Sequence, residues 1–324
     1  MHSLEFLLQK ISQSLQDLPL DRQPEDLYQP IKYSLSMGGK RLRPLLTLMA
    51  CDLVGGDLED AMPAAIGIEI FHNFTLLHDD IMDNAPLRRG KDTVYKKWNT
   101  NIAILSGDTM FALAYEKVAE TRIDYLPAIL DVFTTTAREV CEGQQYDMNF
   151  ETEEVTSLED YLNMIRLKTA VLLGCCLKAG ALAGGADKET ANILYRIGEN
   201  LGIAFQIRDD FLDTFGDELL FGKKTGGDIL ANKKTYLYLA ALQNGSPETR
   251  EALQTIYQGQ RIDASEKIEC VKNLFIQANV EAICEETTTE FYNKALDEIR
   301  SLKYSESRLL HLKEYARNLI GRTY

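Results

Sequence analysis

The chain has 324 residues, 45% of them hydrophobic, enough to bury a substantial core as one large domain or two smaller ones. Its 49 acidic residues against 35 basic ones give a formal charge of −14. That balance excludes general nucleic-acid binding, which needs a basic field to displace counterions from phosphates, so any anionic ligand must be held by a local cluster of metal or basic side chains.

In chain order, the first segment, MHSLEFLLQKISQSLQDLPLDRQPEDL, interrupts its short apolar run with Glu5 and Lys10 and reads as neither a signal peptide nor a membrane anchor. No later run reaches the roughly 18 apolar residues of a spanning helix. Cys51, Cys141, Cys175, Cys176, Cys270 and Cys284 show no C-x-x-C spacing and read as core residues of a protein from a reducing compartment. A cytoplasmic protein without a membrane span is expected. MGGKRLRP reads as a loop in which Gly38 and Gly39 allow close backbone approach and Lys40, Arg41 and Arg43 follow. It lacks the Walker spacing, and a phosphate cradle and a solvated basic turn are both open readings.

Helical periodicity then dominates. DAMPAAIGIEIFHNFTLLHDDIMDNA, NTNIAILSGDTMFALAYEKVAETR, SLEDYLNMIRLKTAVLLGCCLKAGALAGG, ETANILYRIGENLGIAFQIRDDFLD and ESRLLHLKEYARNLIGR each predict a helix. The third has a capping start at Ser157 with Asp160 and stops at Gly184 and Gly185. Alternating β patterns joined by hairpin dipeptides are absent, so the expected class is all-α. Further loops are read at NAPLRRGKDT, FETEEVTS, FGDELLFGKKTGGDILANKKT and QNGSPET. No low-complexity linker interrupts the pattern, and one domain over 1–324 is expected.

Asp79 and Asp83 lie at i and i+4, about 5–6 Å apart between Cβ atoms, with Asp80 turned about 100° aside. Like charges so placed destabilise a bare helix, and a single D-D-x-x-D fits a solvated helix end as well as a metal site. The spacing returns at Asp209, Asp210 and Asp213, 130 residues further on (209 − 79), again before a glycine-containing loop. Two such clusters, if they face one another, make a hard, oxygen-only site with room for water and phosphate oxygens, which suits Mg²⁺, with Mn²⁺ as a substitute, and not zinc. Pro86 stops the helix, and Arg88 and Arg89 follow with guanidinium forks suited to phosphate. Carboxylates, a divalent cation and arginines together describe a diphosphate site.

GGKRLRP, LLHDDIMDNAPLRRG, RLKTA, FQIRDDFLD and GKKTGGDILANKKT, in this order over residues 38 to 235, closely resemble the trans-isoprenyl diphosphate synthases, the polyprenyl synthetase family. The resemblance implies an all-α bundle around a central cavity, usually a homodimer, that joins isopentenyl diphosphate to an allylic diphosphate. Position by position, Asp79, Asp83 and Asp209 resemble the principal Mg²⁺ ligands, supported by Asp80, Asp210 and Asp213. Arg88, Lys168 and Lys223 or Lys224 would hold the allylic diphosphate. Gly39, Lys40, Arg43, His72 and Arg89 would hold isopentenyl diphosphate. Thr169 and Gln206 resemble the groups that face a developing carbocation, Lys233 a further diphosphate contact, and Gln144 and Asp147 supporting partners. Plainer readings stand beside these: a snorkelling Lys168, a surface amide at Gln206, a core histidine at His72.

In this family the residues four and five before the first aspartate motif limit product length, here Thr75 and Phe74. An ideal helix puts Thr75 under Asp79 and Phe74 about 140° away, so only the resemblance selects Phe74. A small residue followed by an aromatic, with no insertion in D-D-x-x-D, resembles the geranylgeranyl type more than the farnesyl type, with longer chains third. A terpene cyclase or head-to-head synthase would have no use for GGKRLRP with Arg89. A non-catalytic subunit of a heteromeric synthase should have eroded aspartate motifs, and both are intact.

Overall fold

The computed structural model describes residues 1–152, 157–216, 225–259 and 262–320. The helices are α1 (Leu4–Gln16), α2 (Glu25–Ser36), α3 (Leu42–Val54), α4 (Leu58–Met82), α5 (Val94–Lys97), α6 (Thr100–Ala119), α7 (Leu126–Thr152), α8 (Leu158–Ile165), α9 (Val171–Ala183) and α10 (Lys188–Phe215). They continue as α11 (Gly227–Leu230), α12 (Tyr236–Asn244), α13 (Pro247–Tyr257), α14 (Ala264–Gln277), α15 (Val280–Ser301) and α16 (Glu306–Ile320). The all-α expectation holds, with one small exception among the described residues. β1 (Leu87–Arg88) and β2 (Lys91–Asp92) form an antiparallel hairpin inside the expected loop. Arg89 and Gly90 make its two-residue turn with φ of 53° and 74°, the left-handed conformations a type I′ turn requires. Strands of two residues carry no alternation to read, and Arg-Gly is not among the usual hairpin dipeptides.

The chain divides into two compact units, Met1–Thr134 with Cys175–Leu194, and Thr135–Gly174 with Tyr195–Tyr324. In the first, α4 is the axis. Asp57 caps it by accepting from the Glu59 N–H at 3.0 Å, and its residues from Ala61 to Phe71 are buried on nearly every side. It packs against α3 and α6. At Gly67 a Cβ would stand 2.8 Å from the Ala114 carbonyl, so the glycine sets how near α6 comes.

The second unit is built on a core that includes Phe150, Met164, Ile207, Leu237, Leu253 and Phe275. The helix predicted from Ser157 starts with the expected capping box between Ser157 and Asp160. It does not run on unbroken: Arg166–Ala170 is a π-helical segment between α8 and α9. Bare backbone packs on it from two sides. A Cβ at Gly143 of α7 would lie 2.3 Å from the Lys168 nitrogen, and one at Gly202 of α10 would lie 2.6 Å from Ala170 Cα.

All six cysteines are free, and Cys51, Cys175, Cys176 and Cys284 are buried. Cys270 is half-buried, and Cys141 is exposed on α7, contrary to the core reading, because it falls on the outer phase of that helix. Among the described residues no helix is long and apolar enough to cross a membrane. Gly143→Ala should destabilise the protein by about 1–3 kcal/mol, since an added methyl must push apart two packed backbones. Urea unfolding of the variant against the wild type checks this.

Candidate functional site

The C-terminal end of α4 carries the first aspartate triplet. Asp83 is exposed and Asp79 half-buried, while Asp80 is 4% exposed and turned inward. The Nε and Nη2 of Arg88 both lie 2.7 Å from Asp80 Oδ1. Burial pushes the Asp80 carboxyl above its ordinary value, and Arg88 offsets part of that rise. The hairpin turn sends Arg89 elsewhere. Its guanidinium donates to the Gly38 carbonyl and lies over Gly39, where a Cβ would come within 2.6 Å of Nη1. Gly38 and Gly39 have φ of 81° and 127°, conformations that glycine adopts at least cost.

Two segments 50 residues apart, GGKRLRP and the arginine hairpin, are thereby brought together within the first unit. Arg43 Nη1 donates to His72 Nε2 at 2.9 Å. Burial, then Arg43, Arg89, Arg88 and Arg41, push the His72 pKa well below 6.5, so the ring is neutral and can accept. Lys40 is exposed at the edge of this group. Arg41 differs from its neighbours: it is paired internally with Glu69 at 2.6 Å and is not offered to a ligand. The Thr75 hydroxyl donates to the His72 carbonyl at 2.8 Å. The Phe74 ring leans on α6, 5.3 Å from Phe111, and also meets His78 at 4.8 Å.

In the second unit Lys168 Nζ lies 2.5 Å from Asp147 Oδ2. The Thr169 hydroxyl donates to Gln206 Oε1 at 3.4 Å, and Gln206 Nε2 donates to Asp210 Oδ1 at 3.1 Å. Asp210 is 5% exposed. The Tyr161 hydroxyl and the Tyr236 N–H both donate to its Oδ2. Asp209 is exposed, and Asp213 accepts the Asp228 N–H at 3.0 Å. Sequence reasoning passed over Asp228, although a carboxylate directly after Gly226 and Gly227 was its signal. It sits beside Asp213, with Lys233 at 3.9 Å. Gln144 is half-buried on α7. Lys223 and Lys224 lie outside the described residues.

Each triplet thus divides the same way. The outer carboxylates are exposed or half-buried, and the middle one is buried and hydrogen-bonded. Among the described residues no three histidine, cysteine or carboxylate side chains gather closely enough to hold a metal by themselves. The outer donors are all oxygens, which fits a hard cation that keeps waters and ligand oxygens in its shell.

Burial pushes Asp210 up to about 7, the Tyr161 hydrogen bond opposing it, and burial with Asp213 pushes Asp228 up to about 6. The folded chain therefore keeps protons that the unfolded chain releases near the ordinary 3.8. In EDTA, stability should fall as pH rises from about 4 to about 7 and then level off. Asp210→Asn should flatten most of that slope, as urea titrations at pH 5 and pH 8 would show.

Comparison with known proteins gives the family. Residues 24–275 match the family described as Polyprenyl synthetase. The chain is 42% identical to the geranylgeranyl diphosphate synthase of Methanosarcina mazei over 230 residues, 70% of this chain and 71% of that one. It is 36% identical to the geranylgeranyl pyrophosphate synthase of Geoglobus acetivorans over 309 residues, 94% of each chain. A crystal structure of a geranylgeranyl pyrophosphate synthase superposes with a TM-score of 0.94 at 44% identity, covering 99% of both chains. The chain belongs to the polyprenyl synthetase family.

Proposed function

We propose that this chain, working as one polyprenyl synthetase domain, condenses isopentenyl diphosphate head-to-tail with dimethylallyl, geranyl and farnesyl diphosphates to make geranylgeranyl diphosphate. The observation that carries the reading is the divergence of two adjacent arginines. Arg88 turns to the aspartate end of α4, and Arg89 turns to the glycine loop and the Arg43–His72 pair. Two diphosphates need two separate cationic grips, and one hairpin supplies an arginine to each.

Arg88 and Lys168 hold the allylic diphosphate, with a lysine of the GKK loop and Lys233 assisting. Gly39, Lys40, Arg43, His72 and Arg89 hold isopentenyl diphosphate, and the neutral imidazole can accept one hydrogen bond while donating another. Asp79, Asp83 and Asp209 would hold Mg²⁺, and Asp80, Asp210 and Asp213 support them. Once bound, the cation would neutralise charge on the departing diphosphate. Asp147 holds Lys168 until that diphosphate competes for it. As the allylic bond ionises, the Thr169 and Gln206 oxygens offer their negative ends to the cation, and apolar walls keep water from quenching it. No side chain stands out as a general base, so the released diphosphate takes the proton.

Phe74 and Thr75 set the product at twenty carbons, with fifteen as the runner-up. Ile104 and Leu105, 41% and 59% exposed on one side of α6, support a homodimer. The six free cysteines support work in a reducing compartment such as the cytoplasm.

Asp79→Ala or Asp209→Ala should lower kcat by several orders of magnitude, and full turnover in excess EDTA would refute the metal assignment. Arg43→Ala or Lys40→Ala should raise KM for isopentenyl diphosphate, each lost charged contact costing about 1.5–3 kcal/mol. Arg88→Ala should act on the allylic substrate instead, so equal weakening of one substrate by both changes would overturn the two-grip assignment. Product sizing by chromatography tests the length: Phe74→Ala should lengthen the product and Thr75→Phe should shorten it.

A further inference from the structure

Arg41 stands between Lys40 and Arg43 in the chain, yet its guanidinium points into the protein. It donates to Glu69 Oε1 at 2.6 Å and to the Leu35 carbonyl at 2.5 Å. Glu69 is 4% exposed in the middle of α4, and its Oε1 also accepts from Asn73 Nδ2 at 3.2 Å. Arg41 holds φ of 48°, a left-handed conformation that a long side chain keeps only when its surroundings impose it. Here those surroundings are the hydrogen bonds to Glu69 and Leu35.

The consequences run in both directions along the loop. Arg41 is the residue from which α3 starts, without a side-chain cap of its own, and the first turn of α3 presents Arg43 to His72. On the other side, Gly38 and Gly39 must hold their positive φ for Arg89 to lie on the loop. Lys40, Arg43 and Arg89 therefore take their places from one buried ion pair. As a way of joining α3 to α4 such a pair has little merit, because apolar side chains of similar volume commonly do as well or better. Its value lies in holding one loop in one shape.

We propose that Glu69 is a positioning residue for isopentenyl diphosphate, acting through Arg41 to fix the glycine loop and the first turn of α3. This rests on assigning Lys40, Arg43, His72 and Arg89 to that substrate. It adds a requirement for a side chain that touches no ligand.

Steady-state kinetics and thermal unfolding are to be compared for the wild type, Glu69→Gln and the double variant Arg41→Met with Glu69→Leu, at a temperature where circular dichroism shows all three folded. Both variants should raise KM for isopentenyl diphosphate about tenfold or more, the scale of one charged hydrogen bond. Values of kcat and of KM for farnesyl diphosphate should stay within about twofold of the wild type, since only one loop is released. The double variant should regain the wild-type Tm and keep the raised KM. A double variant that recovers both Tm and KM would make the pair merely structural and overturn the inference, as would equal weakening of both substrates. If Arg43→Ala leaves KM for isopentenyl diphosphate unchanged, the assignment of the site falls and this inference falls with it. The Glu69 variants by themselves decide only the role of Glu69.

Discussion

The cations that would hold a diphosphate repel one another before it arrives, and the first unit is arranged around that repulsion. Arg41, Arg43, Arg88 and Arg89 all act on the one imidazole of His72, in a chain whose formal charge is −14. Two buried carboxylates of α4 offset the crowding: Glu69 pairs with Arg41, and Asp80 pairs with Arg88. Eleven residues separate them, about 16 Å along a helix, so one rigid element sets the spacing of both pairs. His72 remains neutral and adds no further positive charge. The apolar burial of α4 against α3 and α6 holds these groups in place.

The second unit meets the opposite difficulty, too many carboxylates near one another. Burial raises the pKa of the inner one, and three hydrogen-bond donors oppose that rise. Asp210 gathers the Tyr161 hydroxyl, the Tyr236 N–H and the Gln206 amide, and through Gln206 it reaches the Thr169 hydroxyl. Thr169 and Lys168 sit on the π-helical segment, where wider winding changes the phase of neighbouring side chains relative to an α-helix. Gly143 and Gly202 let α7 and α10 close on that segment, and α7 then brings Asp147 to Lys168.

Much of this was legible in the sequence, because helical phase and residue chemistry are local properties. The capping box at Ser157, the long helix ending in Asp79 and Asp83, and the sideways turn of Asp80 all follow from spacing. So does the position of Phe74 away from the Asp79 face, where it meets Phe111. What was not legible depends on tertiary pairing. Nothing local separates Arg41 from Lys40 and Arg43; the buried Glu69 and the Leu35 carbonyl draw it inward. The hairpin at Leu87–Asp92 is too short to show a period, yet it decides that Arg88 and Arg89 part company. Asp228 gains its place only when the Gly226–Gly227 turn folds back on Asp213. The π-helical segment looks, in sequence, like any stretch of amphipathic helix.

The separation of the two grips is most directly tested by calorimetric titration of isopentenyl diphosphate, which has no allylic cation to form alone, into the wild-type protein in EDTA. Lys40, Arg43, His72 and Arg89 contain no metal ligand, so binding should persist without a divalent cation and weaken as salt is added. Farnesyl diphosphate, under the same conditions, should bind only after Mg²⁺ is supplied. Isopentenyl diphosphate that fails to bind until Mg²⁺ is present would contradict the assignment, because the basic loops would then be no site on their own.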